Sequence, residues 1–317
     1  MLKHTLSAET PLATAQRPSA FKRIRKDWMI YVLILPALIL TFVFQYLPMP
    51  GILMAFKDYD MFAGILKSPW AGLKYIREIF NLPMLYESIL NTLKISFLQL
   101  LVGFPAPIIL ALLINELRDG AFKRVAQSVS YLPHFLSWIS VVGLVYVLLG
   151  TYGPVNDLRV ALFGPDTQRV MWLSRQDLFI PLVLGISIWK EVGWGTVVHL
   201  AAISSIDMQL YEAARMDGAG RLKQTWYITL PTMLPTVMIL LIFQLGHLFK
   251  SNFDLIYGLQ NPYVQFEVIS TIVYQTGIKQ GNYSMATAVG FMEGLVAFIL
   301  TFGANRLSKK ISEVSIW

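Results

Sequence analysis

Ionisable side chains are sparse in this chain, so those inside apolar text define the chemistry on offer. Lys190 and Glu191 adjoin within the run "IPLVLGISIWKEVGWGTVVHL". Placing either mid-bilayer costs roughly 2.5–3.5 kcal/mol on insertion scales, so such residues face protein or a water-filled cavity. Lys190 fits two settings: the wall of a wet cavity or an internal ion pair. Glu191 points about 100° round the helix from it and is expected to be a poor partner. Gln244, His247 and Ser251 recur at helical spacing, as a stripe that lines a path or bonds to neighbouring helices. Lys94 lies about two turns into another apolar run, where its stem would carry the charge to the surface. Trp194 adds an aromatic face suited to stacking on a solute or to the membrane interface. This chemistry binds and passes a polar solute. A cationic Lys190 near the midplane, extended outward by Lys94, would favour an anionic solute; a Lys190 paired to a carboxylate would not.

Covalent chemistry finds little support. The absence of cysteine excludes disulfides, thiolate metal sites and cysteine nucleophiles. The four histidines are scattered without metal-ligand spacing. No G-x-x-x-x-G-K-[ST] phosphate loop is present, so no bound cofactor is expected on this chain. The net charge of +7 is modest and points to basic loops beside a membrane rather than to nucleic acid.

The elements that position these residues are membrane helices. The chain has 317 residues, 55% of them apolar and only 14% charged, against about a quarter charged in soluble domains. Several apolar runs exceed the roughly 20 residues that cross a bilayer. They are continuous, unlike the roughly 10-residue alternating strands of a membrane barrel. The expected fold is all-α and polytopic, with six spans: 28–49, 86–115, 126–149, 179–204, 232–249 and 284–305. Pro105 and Pro107 should kink the second. Gly290 and Gly294 in the sixth form a G-x-x-x-G suited to a close helix contact. Residues 1–27 form a tail rather than a cleaved signal, because the apolar run after it is too long. Basic residues cluster in that tail, at 118–124, at 215–223 and at 306–310. With six spans these regions share one side, which the positive-inside bias makes cytoplasmic, with both termini.

The segment from about 205 to 231 lies on that side. Ser204, Ser205 or Asp207 can cap a helix over "MQLYEAARM". Gly218 can end it in the left-handed conformation, and "RLKQTWYITL" then leads to Pro231. Acidic Glu212 and Asp217 would be repelled by an anionic leaflet, and Ala213 and Ala214 offer little area to insert. A protein partner fits this elbow better than a lipid surface.

"EAARMDGAGRLKQTWYITLP" resembles the cytoplasmic signature of binding-protein-dependent ABC importer permeases. That signature is Glu-Ala-Ala, three residues, Gly, nine residues, then Ile-x-Leu-Pro. Glu212, Ala213, Ala214, Gly218, Ile228, Leu230 and Pro231 match it. "IWKEVGWGTVVHLAAISSIDMQLYEAA", "LVGFPAPIILALLINELR" and "ANRLSKKISEVSIW" resemble the carbohydrate-uptake branch and its subgroup for oligosaccharides and polysaccharide fragments, alginate oligosaccharides among them. The resemblance covers about 28–317 and implies a type I importer permease in a cytoplasmic membrane. It implies partners: a second homologous permease, two cytoplasmic ATPases carrying ATP and Mg, an extracytoplasmic binding protein, membrane lipid and an oligosaccharide cargo. Glu212, Ala213, Ala214, Arg215, Asp217 and Gly218 would form the helix that couples to an ATPase. Two other classes stand beside it. An ion-coupled secondary transporter would use Glu191 or Glu293, and a membrane-embedded enzyme would need a catalytic constellation.

Overall fold

The computed structural model describes residues 28–312 apart from 82 and 249. The tail, its basic cluster and the expected last residue of the fifth span, Phe249, lie outside the described residues. The described residues are almost wholly helical and contain no strand. Six stretches are long and apolar enough to cross a membrane: Trp28–Phe56, Pro83–Glu116, Trp138–Phe163, Gln176–Ser204, Arg221–Gly246 and Tyr283–Arg306.

The chain divides into two units, 1–51 and 52–317. The first holds α1 (Trp28–Thr41), apolar all round with no buried residue. A helix with no polar face requires lipid or another protein on every side.

The second unit carries the functional residues. Its second span is two helices, α2 (Pro83–Leu98) and α3 (Pro105–Glu116). A π turn at Gln99–Gly103 joins them just ahead of Pro105 and Pro107. Proline lacks an N–H and crowds the carbonyl four residues back; a wider turn accommodates both.

The third span departs from expectation. It breaks into α4 (Ala121–Tyr131), a 3₁₀ turn at Leu132–Phe135, and α5 (Trp138–Leu149). Pro133 interrupts the ladder and Ser137 restarts it, its Oγ accepting the Ser140 N–H at 3.1 Å. A separate α6 (Pro154–Phe163) follows. The fourth span, α7 (Gln176–Ser204), is one long helix.

The fifth span also differs. It begins at Arg221, not near Thr232. Its parts are α9 (Arg221–Gln224), a π turn at Thr225–Thr229 and α10 (Leu230–Gly246), preceded by α8 (Met208–Met216). Pro231 therefore lies inside a continuous helical run, because the π turn makes the room that a regular ladder lacks. Then come α11 (Phe253–Leu259), α12 (Ile269–Tyr274) and α13 (Tyr283–Ser312).

Packing relies on small residues, as expected where lipid removes the hydrophobic drive between helices. A Cβ at Gly193 of α7 would overlap the Ser130 carbonyl of α4, and one at Gly195 would lie 2.9 Å from Pro107 Cγ of α3. The G-x-x-x-G makes no close helix contact among the described residues of this chain. A Cβ at Gly290 or Gly294 would meet nothing within 4 Å, whereas Gly246 of α10 packs against Thr301 of α13. The largest apolar core joins Ile95, Val141, Val183, Leu255 and Ile256 from α2, α5, α7 and α11.

Candidate functional site: a central cavity and a cytoplasmic elbow

A cavity of about 170 Å³ sits beside that core. Ile95, Ser96 and Gln99 reach it from the second span, Val183, Ser187 and Glu191 from α7. Gln99 lies three and four residues beyond Ser96 and Ile95, and the α7 set recurs every four residues, the spacing of one helix face. Gln244, His247, Lys250, Ser251 and Asn252 supply the facing wall. Gln244, His247 and Ser251 thus converge, but not as one helical stripe. The helix ends at Gly246, His247 occupies its C-cap, and Ser251 follows in irregular chain. Lys250 was missed by the spacing argument, although it lies three residues beyond His247.

Lys190 does not line this cavity. It is 4% exposed. Its ammonium donates to the His134 carbonyl at 2.9 Å and to Glu191 Oε1 at 3.2 Å, and stands 4.7 Å from the Trp138 ring centre. Two expectations are corrected. The Lys190 ammonium is turned away from the cavity wall into an internal ion pair, and Glu191 is its partner after all. Rotation about both side chains closes the 100° that separates neighbouring Cβ directions, because a buried ammonium needs a counter-charge.

Glu191 is the centre of the network. Its other oxygen meets His134 Nδ1 at 2.8 Å. A carboxylate only accepts, so the proton of this bond sits on Nδ1. The His134 ring stacks on Trp194 at 4.6 Å and 2°. Trp194 is therefore part of the support for the turn at Leu132–Phe135, not of the cavity wall. Lys94 is exposed, on a different face of α2 from Ile95 and Ser96, and does not line the cavity either. Glu293 faces a small apolar pocket with Ile79, Phe80 and Leu85.

The elbow has defined caps. Asp207 Oδ1 accepts the Gln209 N–H at 2.9 Å and starts α8. At the other end Gly218 N–H reaches Arg215 O at 3.0 Å and Ala219 N–H reaches Ala214 O at 2.8 Å. That pair of bonds is a Schellman motif. Gly218 has φ +75°, which only glycine adopts without strain. Gln224 is buried and donates to Ala219 O at 2.7 Å, tying α9 to the turn. Tyr211 Oη meets Thr229 Oγ1 at 2.9 Å, holding α8 against the fifth span. Arg221 pairs with Glu116 at the end of α3 at 3.2 Å.

What the elbow presents outward is unpaired. Glu212, Ala213, Arg215, Asp217 and Gly218 are exposed, and Ala214 is half-buried. Among the described residues neither Glu212 nor Asp217 makes a side-chain hydrogen bond or ion pair, and Met216 beside them is 88% exposed.

Residues 103–313 match the model of the binding-protein-dependent transport system inner membrane component. Protein LplB of Bacillus subtilis (strain 168) is 41% identical over 313 residues, 98% of each chain. The polygalacturonan/rhamnogalacturonan transport system permease protein YteP of the same organism is 43% identical over 321 residues, 99% of each. Among solved structures, a bacterial ABC transporter involved in import of the acidic polysaccharide alginate contains a chain 39% identical. Its TM-score is 0.82, over 92% of this chain and 99% of that one. A second, the alginate transporter in complex with a periplasmic protein bound to alginate pentasaccharide, gives 37% and 0.83, over 94% and 99%. The match spans the cavity walls and the elbow together, and the chain belongs to the family of inner-membrane components of binding-protein-dependent transport systems.

Proposed function

We propose that this chain is one permease subunit of an ATP-driven importer of acidic oligosaccharides. It works with a second permease, two cytoplasmic ATPases and an extracytoplasmic binding protein, and both of its termini are cytoplasmic. The observation that carries the reading is the elbow. A short helix capped at both ends holds an unpaired carboxylate, Glu212, among exposed Met208, Leu210 and Met216. Charged and apolar groups held rigidly outward fit a cleft on a partner protein better than a headgroup layer. ATP and Mg act on the ATPases. Their closure pushes α8, and the Tyr211–Thr229 contact passes the motion directly into the fifth span, whose far end bears Gln244 and His247 on the cavity.

The acidic cargo is supported by the alginate and polygalacturonan/rhamnogalacturonan systems among the relatives and by Lys250. The Glu191 charge is taken up by Lys190 and His134. Lys250 lines the same cavity with no ion pair within bonding distance among the described residues, although Glu293 is in electrostatic reach. Cavity charge is therefore set by Lys250, with Gln244, Ser251 and Asn252 able to bond sugar hydroxyls. The test is uptake of an oligogalacturonate into membranes holding the full complex. Import that needs ATP and binding protein and survives an ionophore is expected. Import that an ionophore abolishes and ATP does not drive would return the ion-coupled class.

A further inference from the structure

α11 has two working faces. Asn252, its N-cap, and Ile256 turn towards the central cavity. Tyr257, Gly258 and Gln260 turn onto a second cleft of about 640 Å³, completed by Glu267, Gln275 and Lys279.

The floor of this cleft is rigid. Tyr257 stacks on Phe253 at 5.1 Å and 12°, and Tyr274 packs against Tyr257 at 5.1 Å and 64°. The Lys279 ammonium stands 5.1 Å from the Tyr257 ring centre and 5.9 Å from that of Tyr274. Contact with the Tyr257 hydroxyl and with both rings thus orients this exposed ammonium. The surrounding donors are already committed inward. Gln275 donates its amide to Glu267 Oε1 at 2.8 Å, and Thr271 donates to Oε2 at 2.6 Å. Gln260 donates to the Phe266 carbonyl at 2.8 Å. Glu267 tempers the local charge but has both oxygens engaged. The groups left with capacity are the exposed ammonium of Lys279 and the amide oxygens of Gln260 and Gln275. A cation flanked by acceptors matches a carboxylate flanked by hydroxyls.

We propose that this cleft is a second cargo site, in which Lys279 binds the carboxylate of one uronate unit and Gln260 and Gln275 accept its hydroxyl protons. A chain of several units then holds two anchors, at Lys250 and at Lys279, one on each face of α11. The proposal rests on the acidic-oligosaccharide reading above, and two measurements separate their failures.

The first is chemical. Lys279 acetylation by an amine-selective reagent is followed by mass spectrometry in the assembled transporter. The additions are an oligogalacturonate, its carboxyl-reduced neutral counterpart, or unloaded binding protein. Slowing of several-fold by the acidic sugar alone is expected. Equal slowing by the neutral sugar, slowing by unloaded binding protein, or no slowing overturns the site, the second outcome reassigning it to protein docking. The second is uptake by Lys279→Gln and Lys279→Arg at equal complex yield and basal ATP hydrolysis. Lys279→Gln should raise the half-saturating concentration of acidic cargo several-fold without changing maximal rate or neutral uptake, and Lys279→Arg should restore it. An equal loss for both sugars overturns the proposal. If the wild type imports no acidic sugar, the cargo reading fails, and the protection result alone then decides the cleft.

Discussion

Two clusters of charge sit along one length of chain, and they are treated in opposite ways. In the middle of α7, Lys190, Glu191 and His134 satisfy one another, with Trp138 and Trp194 packed over them. Just past the end of the same helix, Glu212 and Asp217 are presented without partners. A charge inside a membrane is tolerated when it is neutralised locally, and its removal is felt as folding. A charge held out on a capped helix adds little to the free subunit, and its removal is felt as lost association. The contrast teaches that a conspicuous intramembrane charge can be architecture, while the proposed coupling role falls to a plain surface carboxylate.

The largest expected effect is at the self-paired cluster of α7. Glu191→Leu leaves the Lys190 ammonium buried with only a carbonyl and a ring. Breaking a fully buried pair by removing one partner costs about 3–5 kcal/mol, and the cost here lies below that because the Glu191 side chain is 41% exposed. We expect a marked fall in folded yield and thermal stability before any effect on cargo choice. Lys190→Met should be milder, since Glu191 keeps His134 and the cavity's water, and should reduce acidic and neutral uptake equally. A Lys190→Met variant that lost acidic cargo alone would erase the contrast drawn here.

Next comes the elbow. Glu212→Lys should leave folding and membrane yield unchanged and weaken ATPase association by about 1.5–3 kcal/mol, the worth of a charge-assisted bond. Co-purification of the ATPase, with hydrolysis and uptake measured together, reads this directly. Wild-type coupling in that variant would remove the elbow's role. Gly218→Val should act through backbone strain, of order 1–3 kcal/mol at a positive φ. Gly220, in ordinary extended backbone, should tolerate alanine. Unequal damage at these two glycines is expected in coupling assays.

A smaller, selective effect is expected at Lys250. Lys250→Gln should reduce uptake of uronate oligosaccharides by several-fold and spare carboxyl-reduced ones, because the residue is exposed and contributes little to packing. Equal retention of both cargoes would move the source of selectivity to the binding protein.

The elbow was legible in the sequence because its signals are local. A capping Asp207, helix formers, and a glycine at the stop each act within a few residues. The six spans were legible for the same reason, since length and apolarity need no tertiary context. The failures are where a distant group decides. Pro133 broke the third span and Pro231 did not break the fifth, because a π turn upstream of Pro231 made room for it. Depth alone leaves Lys190 between a cavity wall and an internal ion pair. Its true setting depends on His134, 56 residues away in sequence. Lys250 was passed over because it follows the end of a helix, where periodicity stops being a guide and tertiary folding turns the chain back to the cavity.

The smallest expected effect concerns an ion pair that links the elbow to another span, Arg221 with Glu116. Both side chains are largely exposed, and exposed pairs are worth about 0.2–1 kcal/mol. If the pair only decorates the surface, Arg221→Ala and Glu116→Ala should each change stability by less than that, and their double variant should be additive. Its position suggests a sharper measurement. The pair ties the start of the fifth span to the end of α3, and α3 packs on α7 through Pro107 and Gly195. Under the coupling proposal, a tie between the elbow and α3 should matter more to coupling than to stability. We therefore expect the double-mutant cycle to show a coupling energy of a few tenths of a kcal/mol in ATPase stimulation by loaded binding protein, and none in thermal unfolding. Interaction in unfolding alone would place this pair with the self-paired cluster of α7, as architecture, and leave Glu212 and its neighbours as the elbow's whole contribution to coupling.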